Sequence, residues 1–310
     1  MTKRAAVNRG RWILATAAMA ATTAAATMAA VLAVVLSGAW PAIAAPPANP
    51  APATAENPAP PPKPKRAASP PPAAKAPSAP EKSGPHWGYE GAEGPEHWGD
   101  LDPAYAACKT GTLQSPINIV TSKLATTDLD SFRFYYKPAP LDVLDTGHSI
   151  QINFDPGSIM KIDGVPYSLL QIHFHRPSEE QIDGKSFPMV AHLVHKSADG
   201  KLAVLAVLLT IGKANPLIDA VLANLPKGAG NETRSDKTLA DPSAILPPVP
   251  NYYTFLGSLT TPPCTEGVTW FVLKSQASIS SAQEQALAKR YPHNARPIQA
   301  VHDRKVRSSE

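Results

Sequence analysis

The chain has 310 residues and a hydrophobic fraction of 43%, which is enough apolar material to bury a sizeable core. Its formal net charge is +4, but the basic excess lies within the first 80 residues, so residues 81–310 carry a net charge of −3. A nucleic-acid-binding domain carries an excess of lysine and arginine, and this composition therefore excludes nucleic acid as the expected partner.

Residues 1–44 have the pattern of an export signal. A basic start, an uncharged alanine-rich run over residues 12–40 and a small-x-small site at Ala42-Ile43-Ala44 follow in the order that such signals require. The uncharged run is longer than a usual signal core, so an uncleaved membrane anchor is the alternative. We expect export, with the protein either free in the periplasm or anchored to the inner membrane facing the periplasm.

Residues 45–84 are predicted to form a disordered linker. The stretch from Pro41 to Pro80 holds 15 of the 35 prolines, mixed with alanine and a few lysines. This composition favours an extended, semi-rigid chain because it cannot pack a core. The folded domain is therefore expected to span residues 85–310.

Residues 85–310 are predicted to form a mainly β domain, because short β-type runs recur between proline, glycine, aspartate and asparagine residues. The clearest runs are Ser131–Tyr136, Ser149–Phe154, Ser168–Phe174, Met189–His195, Ala203–Thr210 and Val268–Leu273. Helical patterns are few and short. They cover Pro216–Leu225 and Ser280–Lys289, and in the second Ser281 and Glu284 have the spacing of a capping box.

Two histidines, His173 and His175, stand two residues apart in one of these apolar runs. Side chains at positions i and i+2 of a strand leave the same face of the sheet, so both imidazoles point into one space. This spacing suits a shared metal ion. Two half-buried polar residues on a wet sheet face are the alternative.

A second histidine pair follows, and Asp183-Gly184 between the two runs is a strong hairpin signal. With these two residues as the loop, His175 is expected opposite His192 and His173 opposite Val194. His195 then faces the other side of the sheet. Three imidazoles on one face favour a metal site over the alternative, although Pro177 can interrupt the ladder.

Two cysteines, Cys108 and Cys264, lie in the folded domain. Export would take them to an oxidising compartment, where disulfides persist. We therefore predict a disulfide between them. The alternative, two buried thiols, requires a reducing compartment, against which the leader argues.

Distinctive motifs follow one another between residues 86 and 306: Trp87-Gly88-Tyr89, Gly94-Pro95-Glu96-His97-Trp98, Gln114-Ser115-Pro116-Ile117-Asn118-Ile119, Gly147-His148, Gln171-Ile172-His173-Phe174-His175, Ser178-Glu179, His192-Leu193-Val194-His195, Gly257-Ser258-Leu259-Thr260-Thr261-Pro262-Pro263, Val268-Thr269-Trp270 and Asn294-Ala295-Arg296-Pro297. In type and order they resemble the alpha-class carbonic anhydrases. The resemblance implies a large, mostly antiparallel central sheet with a few short peripheral helices and a cone-shaped active-site cleft. It also supports the disulfide, because exported members pair cysteines at these positions.

The resemblance makes His173, His175 and His192 the ligands of Zn²⁺, in agreement with the hairpin geometry, and leaves His195 a structural role. Three neutral imidazoles and one solvent molecule form an open tetrahedral site, which is typical of catalytic zinc. Zinc lowers the pKa of its bound water to near 7, a value for which carbonic anhydrase itself is the standard example. The implied nucleophile is therefore a zinc-bound hydroxide.

Other implied roles concern the hydroxide and its proton. Thr260 is expected to accept a hydrogen bond from the hydroxide while donating to Glu179, because an ionised carboxylate can only accept. Thr261 would line the mouth of the cleft. His148 matches the family's proton shuttle, since an imidazole both takes and releases a proton at neutral pH. Tyr89 would lie near the connecting waters.

The implied substrate pocket is apolar and suits carbon dioxide, a small nonpolar molecule. The residues that match the family's pocket are Val194, Val204, Leu259 and Trp270.

The sequence departs from the family around the third ligand. The family commonly has a histidine at the position of Glu180 and, at the position of Val190, a glutamate that accepts the outward N–H of that ligand. Gln171 and Glu180 are our candidates for side chains that support the ligands from behind. We hypothesise that Glu180 accepts the N–H of His192; the alternative is that a water or a backbone carbonyl does so.

The expected function is the reversible hydration of carbon dioxide to bicarbonate and a proton. A binding domain of the same fold that has lost activity is one alternative, but loss of a ligand histidine is its usual sign and all three are present. A zinc esterase that uses the same cleft is another. The sequence leaves the oligomeric state undetermined and implies membrane association only if residues 1–44 are not cleaved.

Overall fold

The structure is a computed structural model that describes residues 85–129 and 131–309. The predicted leader, residues 1–44, and linker, residues 45–84, lie outside the described residues. Within the described part of the chain, no helix is long and apolar enough to cross a membrane.

Strands dominate the described residues, and the helices are short. The strands are β1 Asn118–Ile119, β2 Ala125–Thr126, β3 Arg133–Tyr135, β4 Ala139–Asp145, β5 Ile150–Asn153, β6 Ile159–Ile162, β7 Val165–His175, β8 Gln181–Ile182, β9 Met189–Ser197, β10 Leu202–Ile211, β11 Glu232–Ala240, β12 Tyr252–Ser258, β13 Glu266–Leu273, β14 Ala277–Ile279 and β15 Arg307–Ser308. The α-helices are α1 Trp98–Leu101, α2 Ala107–Thr110, α3 Pro216–Ala223 and α4 Ser281–Ala288, and 3₁₀ turns cover Gly91–Glu93, Pro103–Tyr105, Thr121–Lys123 and Pro242–Ile245.

One 13-stranded sheet organises the domain, in the order β11-β4-β5-β7-β9-β10-β13-β12-β15-β2, with β3, β6 and β14 attached to it. Most neighbours are antiparallel, whereas β10 pairs with β13 and β14 in parallel, as does β15 with β2. The predicted fold class, a large, mostly antiparallel sheet with few short helices, is confirmed.

All six predicted runs form strands and both predicted helices exist, with ends that differ by a few residues. The capping box of α4 was predicted one residue too late. Ser280, not Ser281, is the N-cap, and its hydroxyl accepts from the N–H of Gln283 while the Gln283 side chain accepts from the N–H of Ser280. A glutamine at this position closes the box as a glutamate does, since both side chains offer an acceptor oxygen.

The two faces of the sheet differ in chemistry. On β9, Met189, Ala191 and Leu193 point into the larger apolar core, which also contains Leu217 of α3 and Leu287 of α4. The alternate residues of β9 point to the opposite face, where Val190 and Val194 join a smaller apolar cluster. The period of two along the strand thus separates a helix-covered core from the face that carries the candidate site.

The register between β7 and β9 differs from the predicted one by two residues. His173 lies opposite His192 and His175 opposite Val190. The turn at Asp183-Gly184 does form, with positive φ at both residues and reciprocal bonds between Ile182 and Lys185. The shift in register arises between this turn and the two strands.

On the β7 side of the turn, three residues lie between Ser178 and Ile182. On the β9 side, only Ser186 lies between Lys185 and Phe187, although the N–H of Ser178 donates to the carbonyl of Phe187. The β7 side therefore has two more residues than the β9 side, and these two do not pair across the hairpin. Strand β8, in this segment, pairs with β1. A shift of two preserves the face of every side chain, so the predicted side for each histidine is unchanged.

A disulfide joins Cys108 of α2 to Cys264, across 156 residues of sequence. It is the predicted pairing. Cys264 follows the loop that carries Thr260 and Thr261, and its N–H donates to the carbonyl of Thr261 at 2.9 Å. The crosslink therefore ties the N-terminal part of the domain to a loop of the candidate site.

Candidate active site

Three imidazoles converge on the face of β7 and β9 that lies opposite the larger apolar core, which we call the cleft face. One nitrogen each from His173, His175 and His192 lies within 4.8 Å of the other two, and among the described residues this is the group of three that could hold a metal ion. His175 and His192 are 1% exposed. The sequence predicted this set through the alternation of the strands.

The opposite nitrogen of each imidazole has a hydrogen-bond partner. Nδ1 of His173 lies 2.7 Å from Oε1 of Gln171, and Nδ1 of His175 lies 2.6 Å from the carbonyl oxygen of Asn294. Both carbonyl-type oxygens only accept, which makes these Nδ1 atoms donors and leaves each Nε2 as a bare lone pair. Nε2 of His175 is buried and has no hydrogen-bond partner.

Burial keeps the first two imidazoles neutral. It lowers the pKa of His173 to about 3 and that of His175 well below its usual value, and repulsion from His192 acts in the same direction. Neutral imidazole is the form that binds a metal ion.

The third imidazole, His192, lies between two carboxylates. Its Nε2 is 3.1 Å from Oε1 and 3.2 Å from Oε2 of the fully buried Glu180, and its Nδ1 is 3.8 Å from Oε2 of Glu179. Burial lowers the pKa of His192, but the two carboxylates outweigh burial and the net pKa is raised. Val190, by contrast, packs in the apolar cluster. The contact between Glu180 and His192 is the one the sequence hypothesis requires; its effect on metal binding stays a prediction.

Glu179 lies beneath the site with two donors. The backbone N–H of Arg296 donates to its Oε1 at 2.8 Å, and the side chain of Thr260 forms a hydrogen bond with it. Burial raises the pKa of Glu179 to about 7, while His192 and these hydrogen bonds oppose the rise. Thr260 is itself 5% exposed. The structure thus brings together the threonine and the carboxylate that the resemblance paired.

The residues predicted to line the apolar pocket lie together beside His192. Val204 lies opposite Val194 on β9 and opposite Trp270 on β13, and Leu259 packs against the same cluster. The indole of Trp270 lies edge-on to His192, with ring centroids 4.9 Å apart. Its N–H donates to the carbonyl of Ser258 at 2.9 Å, which fixes the ring. Thr261 is half-buried in the adjoining loop.

His148 lies at a tight turn between β4 and β5. Gly147, with a φ of +86°, makes the turn possible, and the side chain of Thr146 accepts from the N–H groups of His148 and Ser149. The half-buried ring of His148 stacks on Trp87, with centroids 3.6 Å apart and planes 12° apart. Burial lowers the pKa of His148, and repulsion from His86 adds to the effect.

His195 lies on the opposite face of β9 and outside the site, as the alternation of the strand predicted. It is 0% exposed, stacks on Tyr136, and its Nε2 is 2.7 Å from the Tyr136 hydroxyl.

Sequence reasoning assigned no role to Asn294 and Arg296, although both belong to a quoted motif. The Asn294 side chain donates to the carbonyls of His148 and Phe174 and accepts from the N–H of Arg176, while its own carbonyl lies against His175. The buried guanidinium of Arg296 donates to the carbonyls of Ser115 and Cys108. These contacts span more than 100 residues of sequence, so no local pattern reveals them.

Comparison with known proteins agrees with this geometry. Residues 93–310 match the family model described as eukaryotic-type carbonic anhydrase. The chain is 38% identical to a carbonic anhydrase of Nostoc sp. over 71% of this chain and 85% of that protein, and 42% identical to one of Neisseria gonorrhoeae over 71% and 87%. The structure of an alpha-carbonic anhydrase from Thermovibrio ammonificans in complex with the inhibitor sulfanilamide is similar with a TM-score of 0.70 at 39% identity, over 73% of this chain and 100% of that one. The chain therefore belongs to the eukaryotic-type, or alpha, carbonic anhydrase family and is an enzyme of the carbonate dehydratase class.

Proposed function

We propose that His173, His175 and His192 hold a catalytic Zn²⁺ at which carbon dioxide is hydrated reversibly to bicarbonate. The observation that carries the proposal is the pairing of each imidazole's outer nitrogen, which directs the remaining nitrogens toward one point. The buried, unpartnered Nε2 of His175 fits such a group, since a buried polar atom without a partner is costly. When bound, zinc supplies a Lewis acid that makes water a nucleophile at neutral pH.

Thr260 and Glu179 orient that nucleophile. In its ionised form the Glu179 carboxylate accepts from the threonine hydroxyl and so leaves the threonine oxygen as an acceptor toward the cleft. A bound solvent molecule that donated to Thr260 would direct its lone pair toward the apolar wall. Val194, Val204, Leu259 and Trp270 form that wall and admit carbon dioxide better than water. Thr261 lines the exit for bicarbonate.

His148 carries the product proton away from the cleft. Its half-buried position and lowered pKa suit a group that accepts a proton and releases it again. The buried hydroxyl of Tyr89 has no protein partner, and its ring lies edge-on to Trp87, which stacks on His148. Water molecules between Tyr89 and His148 would complete the path.

Gln171 and Glu180 orient ligands from behind. Gln171 fixes the ring of His173, and Glu180 fixes that of His192 in place of the family's usual glutamate at position 190. Such partners set ligand orientation and basicity.

We also propose a three-part organisation: an export signal or anchor at residues 1–44, a linker at 45–84 and the catalytic domain at 85–310. The enzyme then acts in the periplasm. The disulfide between Cys108 and Cys264 supports this location, because disulfides persist in oxidising compartments. Cell fractionation and N-terminal sequencing of the product test it; full-length protein in the cytosol would contradict it.

A stopped-flow assay with a zinc measurement tests the central proposal. Purified protein is expected to contain stoichiometric zinc and to hydrate carbon dioxide rapidly. A chelator should abolish activity and added Zn²⁺ should restore it. Zinc-free protein with full activity would overturn the metal assignment. An activated ester assayed in parallel should be a much poorer substrate, and ester hydrolysis faster than hydration would favour the esterase.

A further inference from the structure

A second imidazole, that of His86, lies beside His148. The ring centroids of His86 and His148 are 6.3 Å apart, with planes inclined by 49°. His86 is 76% exposed at its side chain, whereas His148 is half-buried and has one face covered by Trp87. A buffer molecule therefore reaches His86 more freely than His148.

A carboxylate fixes the tautomer of the neutral His86 ring. Nδ1 of His86 lies 2.9 Å from Oε2 of Glu93, whose side chain is 51% exposed. An ionised carboxylate can only accept a hydrogen bond, so Nδ1 of His86 is the donor and Nε2 keeps a free lone pair. That nitrogen is the atom at which His86 can accept a further proton.

The segment that carries His86 is fixed to the domain through aromatic packing. Trp87 stacks on His148 and lies edge-on to Trp98, whose ring centroid is 5.2 Å away. Trp98 is fully buried, and its N–H donates to the carbonyls of Gly88 and Glu93. The same contacts therefore set the positions of His86, Glu93 and His148 relative to one another.

We propose that His86, held by Glu93, is an outer relay that receives protons from His148 and delivers them to buffer. The inference rests on the proposed shuttle role of His148. One proton moves at each step: the His148 imidazolium gives up an N–H proton through a bridging water, His86 gains it at Nε2, and a buffer base removes it. Both rings return to the neutral state, and no other bond forms or breaks.

Stopped-flow hydration kinetics in dilute, non-imidazole buffer test the relay. We expect His86→Gln to lower kcat about two- to fivefold and to leave kcat/KM for carbon dioxide unchanged, because the variant keeps a hydrogen-bonding side chain beside Glu93 but cannot carry a proton. Imidazole buffer should restore kcat. The double variant His86→Gln/His148→Ala should be no slower than His148→Ala, because two stations of one path act as a unit. His302→Asn, a change at an exposed histidine elsewhere in the domain, serves as the control and should match the parent.

The outcomes separate the relay from the shuttle. If His148→Ala itself leaves kcat unchanged, the proposed function of His148 fails. If His148→Ala is slow and rescued by imidazole while His86→Gln matches the parent, the relay alone is overturned. Additive losses in the double variant would also overturn it, since they would indicate independent routes.

Discussion

His192 and His195 lie three residues apart on β9, and both are almost fully buried, at 1% and 0% exposure. On the cleft face, His192 contacts Glu180 and lies near Glu179, and its pKa is raised because the carboxylates outweigh burial. On the core face, His195 stacks on Tyr136, and burial lowers its pKa to about 4 although the backbone carbonyls of Leu193 and Ala203 partly oppose the change.

Burial alone therefore does not define a functional histidine. Desolvation acts on both rings, and the groups around each ring decide its chemistry. A ring whose two nitrogens face a carboxylate and two other imidazoles is arranged to bind a cation. A ring whose neighbours are a phenol and apolar side chains is arranged to stay neutral. Substitutions on the two faces should therefore have different consequences.

The largest effect on activity is expected at His192, a proposed metal ligand, and a much smaller one at His195, which packs in the core. His192→Ala should reduce zinc content and carbon dioxide hydration to background, because two remaining imidazoles do not make a tight zinc site. His195→Gln should retain stoichiometric zinc, keep kcat/KM within about twofold and mainly lower Tm. Zinc analysis and stopped-flow assays of the two purified variants check both statements.

The reverse result would contradict the assignment of the two histidines to opposite faces. Loss of zinc in His195→Gln together with retention in His192→Ala would mean that the face assignment of β9 and the family alignment are both wrong.

A smaller effect, still on the cleft face, is expected at Glu180. Glu180→Ala should raise the zinc dissociation rate about 10- to 100-fold, the usual consequence of removing a partner that orients a ligand. Val190→Glu in the same protein should partly reverse the rise, because it returns a carboxylate to the family's usual position. Glu180→Gln keeps an acceptor without the charge and should lie between the parent and Glu180→Ala.

Transfer of zinc to a chromogenic chelator measures these rates. A rate for Glu180→Ala within about twofold of the parent would exclude Glu180 as the partner of His192 and favour a water or a backbone carbonyl.

The faces of the strands could be predicted from the sequence, whereas the register could not. Face depends on the period of two, which is local, and the observed shift of two residues leaves it intact. Register depends on the segment between Ser178 and Phe187, where the Ser178 hydroxyl donates to the carbonyl of Glu180 and accepts from the N–H of Phe187. The additional residues in this segment bring Glu179 and Glu180 beneath His192. In an unbroken hairpin with a two-residue loop, both glutamates would be paired strand residues and would not reach this position.

Other parts of the fold and site could not be predicted from local sequence patterns. Strand β11 contains mostly polar residues, and only Ala240 in it is buried, so its sequence resembles a loop. Asn294 contacts His175 and His148 from 119 and 146 residues away. Such contacts depend on the completed sheet, and the resemblance flagged the motif of Asn294 without indicating what it touches.

The last expected effect concerns the pH dependence of stability on the core face. The pKa of His195 is about 4 in the folded protein and near 6.5 when the ring is solvated, so between these values the unfolded chain binds the additional proton. The stability that His195 contributes is therefore fully present above pH 6.5 and is lost as the pH drops toward 4. The loss from this group is about 2 kcal/mol at pH 5 and approaches about 3 kcal/mol below pH 4, since one pKa unit corresponds to about 1.4 kcal/mol.

Comparison with His195→Gln isolates this contribution, because glutamine can keep a hydrogen bond to Tyr136 but does not titrate. Urea unfolding of both proteins at pH 7.5 and pH 5, in the same zinc-containing buffer, should show the parent losing about 2 kcal/mol more than the variant. Acid release of zinc affects both proteins equally and cancels in the difference. An equal loss in the two proteins would mean that the ring of His195 reaches solvent or a proton acceptor in the folded state, and the contrast between the two faces of β9 would then rest on metal binding alone.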